Sequence, residues 1–217
     1  MKKISLLIAG LCLLNVTLHA QTSADSLTIV STQWESTVAS EGIIHKRAQI
    51  PSLYKGPQHI SLIEIPANRK LHYGIGVDET MVRISQLAPE HQALAAINGS
   101  FYNMQKGNSV CYLRFGKEVV DTTTTQEFKL RVTGAVYTHK KKLRILPWNQ
   151  ELEAKYHKKK GSVLASGPLL MEDGKTSDWS MCDSSFIATK HPRSAIFTIK
   201  DKKTVLITVD GRSKGNA

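Results

Sequence analysis

The chain is short of cysteine, short of aromatic residues and almost without long apolar runs. Cysteine occurs three times in 217 residues, as Cys12, Cys111 and Cys182. None stands in a Cys-x-x-Cys or other zinc-ligand spacing, so no metal site is read from the sequence. Aromatic residues make up 6% of the chain, and the two basic clusters, 139–144 and 155–160, contain only Tyr156. Base stacking therefore has little support, and nucleic acid is not expected as a partner. There is no internal repeat and no low-complexity segment. The one sustained apolar run, 4–14, meets Asn15 before it reaches the length of a membrane span.

That run belongs to a different kind of segment. Lys2 and Lys3 precede it, and Leu18-His19-Ala20 offers a small-residue cleavage site before Gln21. Residues 1–20 read as a signal peptide, so the mature protein is expected to be secreted or periplasmic and not inserted in a membrane. A lipid anchor on Cys12 is disfavoured because Leu11 is bulky where a small residue is wanted. The full chain carries a formal net charge of +11, and losing two lysines with the leader leaves +9. The basic clusters read as a solvated strand edge and a solvated loop, where lysine also discourages edge-to-edge pairing. In an oxidising compartment Cys111 and Cys182 are open to two readings, a disulfide or two buried thiols.

Strand signals dominate the remainder. Residues 27–34, 42–50, 58–65 and 71–77 are rich in β-prone types, and Pro51 and Pro66 close two of them, which predicts an antiparallel meander. Met81, Val82, Ile84, Leu87 and Ala88 fall at helical spacing after Asp78, with Pro89 as the stop. Residues 93–97 and 109–115 read as strands, with 118–121 following a Gly116-Lys117 turn. Hairpins are expected at 131–146 and again at 194–209, and a weak helix at 150–157. Residues 122–125 read as a loop or an edge, and 177–187 have no clear period. The fold class is α+β: a mixed, strand-rich sheet domain with few helices, divided as leader 1–20, a strand-rich segment 21–90 and a second unit 91–217.

Chemistry gathers where strands break into glycine-bearing turns. Such turns occur at 97–103, at Ser166-Gly167-Pro168, and at both ends of the last hairpin. Glycine there lets backbone N–H groups approach a ligand. The last hairpin carries His191-Pro192-Arg193 before it and Asp210-Gly211-Arg212 after it, so antiparallel pairing brings both ends to one sheet edge. Arginine's planar fork matches a carboxylate or phosphate. Each turn alone also has a plain structural reading. Asn98 could cap its own turn, and Arg212 could pair with Asp210.

Taken in order, Ala96-Ile97-Asn98-Gly99-Ser100-Phe101-Tyr102-Asn103, Ser166-Gly167-Pro168-Leu169-Leu170, His191-Pro192-Arg193-Ser194-Ala195 and Val209-Asp210-Gly211-Arg212 resemble the phosphodiester glycosidase family. The resemblance runs from about residue 93 to the end. It implies hydrolysis of a sugar-1-phosphodiester to free sugar and a phosphomonoester, with a phosphorylated sugar or polysaccharide as partner. Asp210 and Asn98 match catalytic positions, while Arg193, Arg212, Ser100, Asn103 and Gly167 match substrate-binding ones. Many members carry Asp where Ser100 stands. No cofactor is identified.

Members also continue past the Asp-Gly-Arg loop to an Asn-Leu-Asp-Gly-Gly-Gly-Ser-Ser type turn, which these residues lack. The expectation is a fragment or truncated form, with low stability and weak catalysis by itself. The alternative is a non-catalytic binder of anionic polysaccharide at the cell envelope.

Overall fold

Alternation of apolar and polar residues along the first strands decides how they pack. In the computed structural model, which describes residues 20–67, 70–199 and 203–211, β1 (Glu35–Val38), β2 (Ile44–Ile50) and β3 (Gln58–Ile65) form an antiparallel meander. The end of the chain completes this sheet. Strands β11 (Arg193–Thr198) and β12 (Thr204–Val209) form the expected hairpin, and β12 pairs with β3 to give the order β1-β2-β3-β12-β11. The family-like end of the sequence is thus hydrogen-bonded to the segment before residue 90.

Register gives the sheet two unlike faces. Ile60 lies opposite Ala48 on one side and Val209 on the other. This face forms a core with Ile50 and Leu53, and Ile29 and Trp34 pack against it. On the other face a polar row crosses all five strands: Glu35, Arg47, Ser61, Thr208 and Ser194 are successive cross-strand partners. A period of two residues sends the apolar set to one face and the polar set to the other.

Ile29 sits on α1 (Ala20–Ser31), where a loose lead-in and a strand at 27–34 were expected. The strand expectation rested on Thr28, Ile29 and Val30. Tertiary context overrides it: Ile29 docks on the core, and the Thr28 and Thr32 hydroxyls bond to carbonyls four residues back. The expected strand at 71–77 does not form, although Tyr73 donates its hydroxyl to Thr204 Oγ1 at 2.9 Å. Helix α2 (Ile84–Glu90) starts later than expected, because Asp78 accepts from the Thr80 N–H and hydroxyl and closes a turn instead. Pro89 lies inside its last turn. Residues 93–97 form no strand among the described residues, and the strand expected over 109–115 is confined to β4 (Leu113–Phe115).

A second five-stranded sheet takes β4, β5 (Glu118–Asp121), β6 (Gly134–His139), β7 (Lys142–Pro147) and β8 (Ser162–Ser166) in the order β5-β4-β8-β6-β7. Helix α3 (Thr125–Leu130) precedes β6, starting at the end of the 122–125 run expected as loop or edge, and α4 (Gln150–Tyr156) follows β7 as expected. Cys111, Tyr112, Val132, Trp148, Tyr156 and Val163 form the core on this sheet. Glu153 is buried in it yet satisfied, accepting from Thr123 N–H at 3.0 Å and Trp148 Nε1 at 3.1 Å. A short hairpin of β9 (Met171–Glu172) and β10 (Lys175–Thr176) leads to α5 (Ser184–Ala188). Cys111 and Cys182 are both free and buried, and burial pushes both thiols up from the ordinary range. The architecture is a strand-rich α+β fold. Among the described residues no helix is long and apolar enough to cross a membrane. The leader read in residues 1–20 lies almost wholly outside the described residues.

Candidate functional site

A cleft of about 1140 Å³ opens between the polar face of the first sheet and the loops of the second. One side is the row Glu35, Arg47, Ser61, Thr208 and Ser194, with Asp210 at its end. The other side is the 98–102 turn, Arg131, Ser166, Gly167 and Phe186. Turns far apart in sequence therefore meet, as hairpin pairing alone cannot arrange.

Two of these turns are interlocked by their backbones. Gly211 has φ of +60°, and a Cβ there would lie 2.2 Å from the His191 carbonyl oxygen. Only glycine allows the Asp-Gly-Arg loop to pass so close to the His-Pro-Arg loop. The buried Gln58 side chain accepts from Gly211 N–H at 3.2 Å. Asp210 is fixed from the same strand: its Oδ1 accepts from His59 N–H at 2.9 Å, and its own N–H donates to the His59 carbonyl at 3.2 Å. Gly167 is as tightly placed, since a Cβ there would lie 2.0 Å from the Arg131 carbonyl oxygen.

Asn98 does not cap its own turn. Its Oδ1 accepts from the Ser194 hydroxyl at 2.6 Å, tying the first turn to β11. Asn103 does close its turn, accepting from the Gln105 and Lys106 N–H groups at 2.9 and 3.0 Å, and it is not on the cleft wall. Among the described residues the Ser100 hydroxyl, buried at the wall beside the buried Cys111 thiol, has no well-formed hydrogen bond. Arg212 lies outside the described residues.

Arg193 begins β11, and its guanidinium lies 4.3 Å from the centre of the Phe186 ring. Its Nη2 donates to the Phe186 and Thr189 carbonyls, which fixes the side chain. The same ring has a second cation. Arg131, at the end of α3, lies 5.1 Å from the Phe186 centre and 3.7 Å from that of Phe101. The two rings meet edge to face at 5.8 Å. Glu127 holds Arg131 through two hydrogen bonds of 2.8 and 2.9 Å. Partial burial, and then the charge of Arg131, push the Arg193 guanidinium down from its usual range. A half-buried pair of like charges is eased by an anion between them.

Arg131 and Phe186 escaped the sequence reading. The Glu127–Arg131 spacing is that of a helical ion pair, but six residues beginning Thr-Gln-Glu gave no helix signal worth weighing. Phe186 is placed by Asp183, which caps α5 by accepting from Phe186 N–H at 2.7 Å and from the Ser185 hydroxyl at 2.6 Å. Those two bonds hold the Asp183 carboxyl below the usual carboxylate range.

A family model described as phosphodiester glycosidase matches residues 91–217. No curated protein matches the chain.

Proposed function

The chain belongs to the phosphodiester glycosidase family, and on that premise we propose that its cleft hydrolyses a sugar-1-phosphodiester to free sugar and a phosphomonoester. The observation that carries this reading is the pair Arg131 and Arg193 on one phenyl ring, in the same cleft as Asp210. Water adds its oxygen to the anomeric carbon, the bond from that carbon to the phosphate oxygen breaks with its electron pair going to the phosphate, and Asp210 takes the proton that leaves the water. A phosphomonoester is a good leaving group because its second pKa is about 6. The site then needs charge stabilisation on phosphate more than a strong general acid. Arg193 supplies it by direct hydrogen bonds, and Arg131 adds field. Asp210, with one oxygen held by His59, offers the other to the attacking water. Asn98 and Ser194 line the sugar side as one bonded unit. The family motif makes Arg212 a second phosphate-binding candidate, although it lies outside the described residues. Residues 1–20 support an exported enzyme acting on envelope or host glycans.

Asp210→Asn is the deciding variant, since asparagine keeps an oxygen for His59 N–H and so spares the fold. Release of sugar from a methyl phosphodiester of a sugar-1-phosphate should fall by about a hundredfold or more, with phosphate affinity kept. Equal turnover by the variant removes Asp210 as the base. Absent turnover in the wild type, with phosphate still bound, supports the non-catalytic binder of anionic polysaccharide.

A further inference from the structure

The basic clusters at 139–144 and 155–160 have no part in the cleft, and the fold joins them. Lys140 and Lys141 form the tip of the β6–β7 hairpin, with Lys142 opening β7. Lys158, Lys159 and Lys160 form the loop entering β8. The two meet because β6 pairs with β8, and because the Tyr137 hydroxyl donates to the Lys160 carbonyl at 2.8 Å. Lys117 joins them, since the neighbouring Gly116 N–H donates to the Ser162 hydroxyl at 3.0 Å.

The lysine loop is held from beneath by an unusual group. Arg114 is 1% exposed, and its guanidinium donates to the carbonyls of Lys159 and, at 2.8 Å, of Gly161. A buried cation is costly unless hydrogen bonds offset its desolvation, and the two that Arg114 makes fix the loop's carbonyls in place. All seven lysines are exposed, and none forms an ion pair among the described residues; Glu118 is the exposed acid beside Lys117. Charge of one sign on a fixed scaffold attracts a polyanion.

We propose that this end of the second sheet is a binding site for an anionic polysaccharide, distinct from the cleft. Strand β8 runs from the lysine patch at Ser162 to the cleft wall at Ser166, and at ~3.3 Å per residue its ends lie about 13 Å apart. A glycan chain bearing several phosphates spans that distance, so the patch holds one part of the polymer while the cleft takes another. The choice of a glycan rests on the sugar-phosphodiester reading of the cleft; the cationic site itself does not. Among the described residues Phe115 is the one exposed large aromatic side chain at this end, too little for a stacking platform.

The test uses the whole chain with dextran phosphate, neutral dextran of equal length, single-stranded DNA, and phosphatidylglycerol vesicles. Dextran phosphate should bind and neutral dextran should not. Raising salt from about 50 to 200 mM should weaken binding by roughly fifty-fold if four cations are engaged. The triple variant K117E/K158E/K160E should lose at least about tenfold in affinity at low salt, while Tm and turnover of a small phosphodiester stay at wild-type levels. Arg193→Ala should abolish that turnover and leave patch binding within about twofold. Wild-type affinity in the triple variant overturns the proposal, as does no binding of dextran phosphate. Tighter binding of DNA or vesicles than of dextran phosphate also overturns it. Failure of turnover with patch binding intact defeats the cleft reading alone.

Discussion

Replacing Phe186 with leucine separates the ring's electrostatics from its bulk. The ring carries Arg193 at 4.3 Å and Arg131 at 5.1 Å, and meets Phe101 edge to face at 5.8 Å. Each cation–π contact at a partly exposed site contributes about 0.5–1 kcal/mol. The aromatic pair adds about 0.5–1.5 kcal/mol beyond burial. Leucine keeps most of the apolar contact and loses all three terms. The three share one ring and so are not fully additive, which puts the expected loss near 2 kcal/mol. With a urea slope of about 2 kcal/mol per molar, the midpoint should fall by about 1 M. Loss of about 1 kcal/mol of arginine positioning should raise KM for a sugar-1-phosphodiester about fivefold. Urea unfolding followed by tryptophan fluorescence, with steady-state kinetics, gives both numbers. A midpoint within about 0.2 M of wild type and an unchanged KM would refute the idea that one ring organises both arginines.

Three further outcomes follow from the same cluster. Glu127→Gln leaves Arg131 without its carboxylate, so stability should fall by about 2 kcal/mol while inorganic phosphate binds more tightly; calorimetry and denaturation measure the two together, and weaker phosphate binding contradicts the anion-site reading. Gly167→Ala would put a methyl group 2.0 Å from the Arg131 carbonyl oxygen, so the melting temperature should drop with a loss of about 3 kcal/mol, and an unchanged melting curve is the contrary result. Asp183 has a lowered folded-state pKa, so its cap is intact above the unfolded pKa and is lost as pH falls through the folded value. Phosphate binding should therefore decline on acidification below the ordinary aspartate range, and Asp183→Asn should remove that limb of the titration.

The last hairpin was legible because its two runs are strongly β-prone and its link is short, so the meeting of Arg193 with the Asp210 loop followed from antiparallel pairing. Strand β3 was legible with the same bounds, because Pro66 ends an alternating run. Asn98 could be read two ways from its turn, and its bond to Ser194, 96 residues away, was beyond any local rule. The strand expected at 27–34 failed for the same reason in reverse: β-branched residues there serve a helix whose Ile29 has a core to cover.

By itself the sequence determined the α+β class, the turns that bear the motifs and the sign of the charge, because these depend on periodicity, backbone freedom and composition. Tertiary structure alone decided that Arg131 joins Arg193 on Phe186, that the polar row across five strands faces those turns, and that two lysine clusters become one. Each of these depends on which strands pair and which faces meet, and that is settled by burial and register summed over the whole chain.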